Sequence, residues 1–222
     1  MPVIPVIGYD RWEDAEYSNA LSQIDSSNGR FCLRLESYAF SDMIDEDYFL
    51  ENINDIISSL NLNTSKCNVI LDFADITKES ILTIQEKITK ALKLLSVYRF
   101  EFISIAGCSL STMVNDMVPN TDSTGITVRR EMIAWQACKK YANSKSLIFG
   151  DYGVFNPSAA DNIIAPHANG KIRYTIKNNH FIVRGHSRQI GNKGEQMYDL
   201  SRIVVESKYY MKSDFSWVIK GY

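Results

Sequence analysis

The chain has 222 residues, 45% hydrophobic and 23% charged, with 24 Lys or Arg against 26 Asp or Glu and a formal net charge of −2. That is the composition of an ordinary soluble globular protein, most simply one large α/β domain. No apolar run approaches the roughly 18 residues of a membrane span, so no membrane partner is expected. The opening MPVIPVIGYDRWED lacks a basic n-region and a small-residue cleavage site, and its apolar part stops at Asp10. It reads as a strand, not a signal peptide. Cys32, Cys67, Cys108 and Cys138 form no C-x-x-C pair, which points away from zinc knuckles and disulfide scaffolds and towards reduced thiols in a cytoplasmic protein.

In chain order, apolar runs predict strands over Val3–Tyr9, Phe31–Leu35, Asn68–Phe73, Phe102–Ala106 and Ser146–Phe149. Between the second and third, DEDYFLENINDIISSL places Phe49, Ile53, Ile56, Ile57 and Leu60 on one helical face. KESILTIQEKITKALKLL does the same with Ile81, Ile84, Ile88, Leu92 and Leu95. Intervals of that length suit crossover helices, so the strands should be parallel and residues 1–157 a run of β/α units. From 158 to 222 the rhythm changes to a polar loop, then KIRYTIKNNHFIVRG, two strand-like runs flanking Lys177, Asn178 and Asn179. This predicts a β-hairpin, followed by a helix from Met197 to about Ser207.

Charge divides unevenly along this order. Residues 171–222 hold ten Lys or Arg against four Asp or Glu, leaving 14 basic and 22 acidic side chains in the remainder. A basic carboxyl segment suggests an acidic ligand or partner; complementarity with the acidic remainder is the alternative.

Ligands of parallel α/β folds bind beyond the carboxyl ends of the strands. Those tips carry Asp10 and Arg11, Arg34 and Glu36, Asp72 and Asp75, Cys108 and Ser109, then Asp151 and Tyr152. Asp72, within VILDFAD, should be buried, and a buried carboxylate must be paired or have its pKa raised. Either it pairs with Arg34 on the neighbouring strand, or it is a general acid or base. Asp151 lies between Gly150 and Gly153, which fits either close backbone approach by a ligand or plain turn formation.

On the hairpin, Arg173, Arg184 and Arg188 could grip a phosphate or carboxylate, and Tyr174, Phe181 and Tyr198 could stack on a base; a solvated basic face is the alternative. His167, His180 and His186 lack recognised ligand spacing, so no metal site is expected. Cys108 reads as a buried thiol rather than a nucleophile. No Walker loop, G-x-G-x-x-G, H-E-x-x-H or G-x-S-x-G is present, and no cofactor is indicated.

Taken together, IPVIGYDR, LRLE, VILDFADI, SIAGCSL, FGDYGVFNP, IRYT, FIVRGHS and DFSWVIKGY resemble, in that order, the bacteriophage and bacterial "beta protein" family; FGDYG, IRYT and FSW are the most specific pieces. The resemblance implies a TIM-barrel-like fold whose members are usually longer, this chain matching their carboxyl two thirds. Five parallel strands do not close a barrel. Either the hairpin completes the sheet, another copy or a complementing chain does, or the member is a shortened one. The resemblance implies a phage or prophage setting, in defence or counter-defence, and no particular activity.

The expectation is therefore a polar strand-tip pocket for an anionic, nucleotide-like or nucleic-acid ligand. Asp72 and Asp151 are the catalytic candidates if it hydrolyses, and Arg34, Tyr152, Arg173, Tyr174 and Arg184 the ligand-binding ones. The rival expectation is a non-enzymatic interaction or inhibitor module using an exposed sheet edge and the basic hairpin.

Overall fold

The computed structural model describes residues 3–24, 29–141, 147–159, 167–191 and 193–211. The predicted start of the fifth strand at Ser146 and the FSW motif at 215–217 lie outside them. The chain divides into two compact units, one of residues 1–109 and 130–153, the other of residues 110–129 and 154–222.

The first unit is built on a five-stranded parallel sheet of β1 (Val6–Gly8), β2 (Cys32–Leu35), β3 (Asn68–Asp75), β4 (Phe102–Cys108) and β6 (Leu147–Phe149), following each other in that order. Its helices are α1 (Ala15–Ser22), α2 (Ser37–Asp42), α3 (Glu46–Ser59), α4 (Ile81–Leu95) and α6 (Arg130–Tyr141). The two long amphipathic segments form as their periodicity predicts. Asp45 caps α3 by accepting from Tyr48 N–H, and Phe49, Ile53 and Ile56 are buried four and three residues apart. Ser80 caps α4 through Thr83 N–H, and Ile84, Ile88, Ala91 and Leu95 keep one face inward.

Parallel pairing fixes which side chains share a face. Leu33, Leu35, Val69, Leu71, Ile105 and Leu147 enter the main core with these helices. The alternate residues form a cross-strand row, Arg34 opposite Ile70, Ser104 and Ile148. Val6 and Ile148 of this second set are exposed. Among the described residues the sheet is open, with β1 and β6 at its edges, and no closed barrel forms.

The second unit holds a three-stranded antiparallel sheet in the order β5 (Ser123–Val128), β8 (Asn179–Ser187), β7 (Asn169–Ile176). It also contains the short α5 (Val114–Met117) and α7 (Gln196–Glu206). The hairpin of β7 and β8 turns at Lys177 and Asn178, as the sequence predicts. Strand β5 does not stand out in the sequence. Its run STGITV has no fully buried residue, so the strong apolar alternation of a core strand is missing. Gly125 lets it approach α5: a Cβ there would lie 2.8 Å from Val118 and 3.0 Å from the Met117 carbonyl. Phe181, Val183, Leu200 and Val204 form the core of this unit.

Candidate functional site

Three strand tips of the first unit converge on one carboxylate. Arg34, near the end of β2, donates from Nε to Asp72 Oδ2 at 2.8 Å, and its Nη2 stands 2.6 Å from the same oxygen. Tyr152, just beyond β6, donates its hydroxyl proton to the carboxylate, lying 2.7 and 2.6 Å from its two oxygens. The Ala74 N–H reaches Oδ1 at 2.9 Å. Asp72 is thus a buried carboxylate met by a guanidinium, a phenol and a backbone amide. The pairing with Arg34 that the sequence suggests is formed.

Local geometry explains how Tyr152 gets there. Strand β4 separates β3 from β6, and the residue paired with Asp72 on β4 is Ala106, whose small side chain leaves room for the phenol. Gly150 N–H bonds the Ile105 carbonyl at 2.7 Å, and a Cβ at Gly150 would stand 3.0 Å from that oxygen. Gly153 has a φ of +63° and donates to Asp151 Oδ1 at 2.9 Å, closing an Asx turn. The two glycines flanking Asp151 and Tyr152 therefore differ in purpose: one permits close strand contact, the other a left-handed turn. Asp151 itself is exposed.

The chemistry of the tips is set by crowding of carboxylates about one arginine. Burial pushes the Tyr152 phenol up to about 12, helped by the Asp72 charge, so it remains a proton donor. Glu36, directly after β2, lies 3.1 Å from Arg34 Nη2. Its carboxyl is nevertheless raised above the usual carboxylate range, first by burial and then by the charges of Asp10 and Asp72, against the opposing pull of Arg34. Glu36 was given no role from the sequence, although the alternation in LRLE already puts it on the face of Arg34.

The other named residues belong to the second unit. Arg173 donates from Nη1 to the Val154 carbonyl at 2.6 Å and from Nη2 to the Ser111 carbonyl at 3.1 Å. Arg184 is buried and donates from Nη1 to the carbonyls of Val118 and Pro119, at 2.8 and 2.5 Å. The Tyr174 hydroxyl accepts from Met211 N–H, and its ring lies against Tyr210. Phe181 is buried against Tyr209, whereas Tyr198 is exposed. Lys171, two residues before Arg173 on β7, has its ammonium pKa lowered by partial burial and then by the charges of Arg173 and Arg188. It too was missed, though KIR carries the same period-two signal. Among the described residues no group of three His, Cys, Asp or Glu side chains is placed to hold a metal ion.

The parallel sheet with its flanking helices places the chain in the α/β class, in which ligand sites are commonly built at the carboxyl ends of strands. More particularly, a family model described as Beta protein matches residues 1–221. The chain belongs to the Beta protein family. No curated protein and no solved structure matches it.

Proposed function

We propose that this is a phage- or prophage-related protein, acting in defence or counter-defence, that binds an anionic, nucleotide-like or nucleic-acid ligand. Family membership supports the setting. The observation that carries the ligand class is the placing of Lys171 and Arg173 two residues apart on β7, with Arg188 tied to the start of that strand by its N–H on the Ala168 carbonyl at 3.1 Å; burial first, and then the two arginines, lower the lysine pKa. A phosphate placed there relieves that mutual repulsion, and the exposed Tyr198 offers a ring for a base. Arg184 holds the Val118–Pro119 loop from within the same unit, and Arg173 and Tyr174 keep their proposed contact with the ligand.

In the first unit, Arg34, Asp72 and Tyr152 form the proposed strand-tip site, with Asp151 beside it. If the protein hydrolyses its ligand, Asp72 and Asp151 are the proposed catalytic groups, and Glu36, whose carboxyl pKa is raised by burial, joins them as a candidate for proton transfer. Asp72 also serves as the acceptor that orients Arg34 and Tyr152.

The test is a fluorescence anisotropy titration of a labelled single-stranded oligonucleotide, with ADP as a second ligand, at fixed ionic strength. The Lys171→Gln/Arg188→Gln protein should bind about tenfold more weakly, with a shallower salt dependence, since each neutralised phosphate contributes a slope of roughly 0.7 on single strands. Equal binding by both proteins, or none by the wild type, removes the reading.

A second reading rests on the open sheet. Parallel sheets are usually covered on both faces, yet Val6 and Ile148 are exposed on the face opposite the helices. The strands follow each other in chain order as in a TIM-type barrel. A non-enzymatic interaction module that completes this sheet with a second copy, or with a complementing chain, accounts for that face.

A further inference from the structure

We infer that the first unit carries a separate binding site for an organic cation, an alkylammonium or alkylguanidinium group, in a cleft beside the tip of β1. The cleft has a volume of about 370 Å³ and is lined by the aromatic rings of Tyr9, Trp12, Tyr38 and Tyr48 and the carboxylates of Asp10, Glu13 and Asp42, with Asn52 and Ile56. No Lys or Arg is among these lining residues. The volume lies within the range of small-molecule pockets, roughly 300 to 1,000 Å³.

Two properties of this lining select a cation with an apolar stem. Aromatic faces attract positive charge through their quadrupole, and nearby carboxylates supply the ionic component. Both are held in place before any ligand arrives. The Tyr9 hydroxyl donates to Asp42 Oδ2 at 3.0 Å and accepts from Asn52 Nδ2 at 3.0 Å. Trp12 Nε1 donates to Asp55 Oδ2 at 2.7 Å, which fixes its ring. Asp10 Oδ2 accepts from Tyr38 N–H at 3.2 Å, leaving Oδ1 buried with no hydrogen-bond donor. An acceptor in that condition costs free energy until a donor arrives, and a cationic N–H is such a donor. Tyr38 and Tyr48 are 66% and 42% exposed, so their rings are accessible to a ligand entering the cleft.

The inference is independent of the anionic ligand proposed above, which concerns other residues and the opposite charge. The test is isothermal titration with butylammonium chloride at fixed ionic strength, with 1-butanol as the neutral analogue of similar shape. A saturable one-to-one isotherm is expected for butylammonium and none for butanol. Asp10→Asn and Asp42→Asn should each weaken binding at least fivefold. Tyr38→Ala alters an exposed side chain, so the protein should melt as the wild type does while losing several-fold in affinity. Tighter binding of a blocked Gly-Lys-Gly peptide than of butylammonium assigns the cation to a protein side chain; the reverse order assigns it to a free small molecule. Absence of saturable binding by the wild type, equal binding of butanol, or wild-type affinity in the Tyr38→Ala protein overturns the inference.

Discussion

Arg34, Tyr152 and Glu36, gathered about Asp72, show how close neighbours and burial set the ionisation of a side chain. Asp72 draws a guanidinium and a phenol to itself, and its charge, with that of Asp10, discourages ionisation of the neighbouring Glu36. A carboxyl group whose pKa is higher in the folded than in the unfolded chain stabilises the fold at low pH. That contribution is lost as pH rises from the usual carboxylate value through the folded one. Glu36→Gln removes the titration and keeps a side chain of the same shape. The melting temperature of the variant should therefore gain on the wild type between about pH 4.5 and pH 7, even though its ion pair with Arg34 is gone. A difference that stays constant across the range would show that Glu36 titrates as an ordinary surface carboxylate.

At the scale of elements, the strand ends are where regular structure gives way to special backbone. The register of β3 on β4 shifts between Asp72 and Asp75, and Ala74 within that shift has a φ of +50°. Its amide is thereby turned to Asp72 Oδ1. An L-residue in the left-handed region costs roughly 1–2 kcal/mol, while replacing alanine by glycine loosens the unfolded chain by roughly 0.5–1 kcal/mol. Ala74→Gly should thus stabilise the protein by about 0.5 kcal/mol in urea unfolding if the left-handed cost dominates. A clear loss of stability would mean that the alanine methyl makes packing contacts worth more than the backbone relief. The apolar run in VILDFAD predicts a strand end at Phe73, but nothing in it signals a left-handed residue at Ala74. By contrast, the long helices announce themselves, because a buried stripe over four turns leaves a pattern that single-residue exceptions do not erase.

At the scale of the whole molecule, the proposed association with a second copy would draw on two features. The basic carboxyl segment and the acidic remainder would supply contacts that weaken with salt, and the exposed Val6 and Ile148 an apolar component that does not. If the second reading of function holds, multi-angle light scattering at micromolar concentration should give a dimer, persisting at 0.5 M NaCl because the exposed Val6 and Ile148 supply a contact that salt does not screen. A monomer at all salt concentrations would leave the open face without a second copy to cover it. The sequence by itself determined the five parallel strands, the two long helices, the hairpin, the carboxyl-terminal helix and the family. Each depends on periodicity or on an extended ordered set of segments, which local side-chain preferences are enough to impose. Only the tertiary structure decided that Tyr152 reaches Asp72 across β4, that burial and its neighbours raise the Glu36 carboxyl, that β5 joins β8, and that four aromatic rings and three carboxylates share a cleft. These depend on distances between residues far apart in the chain, and on electrostatic fields that fall off with distance in space and not along the sequence.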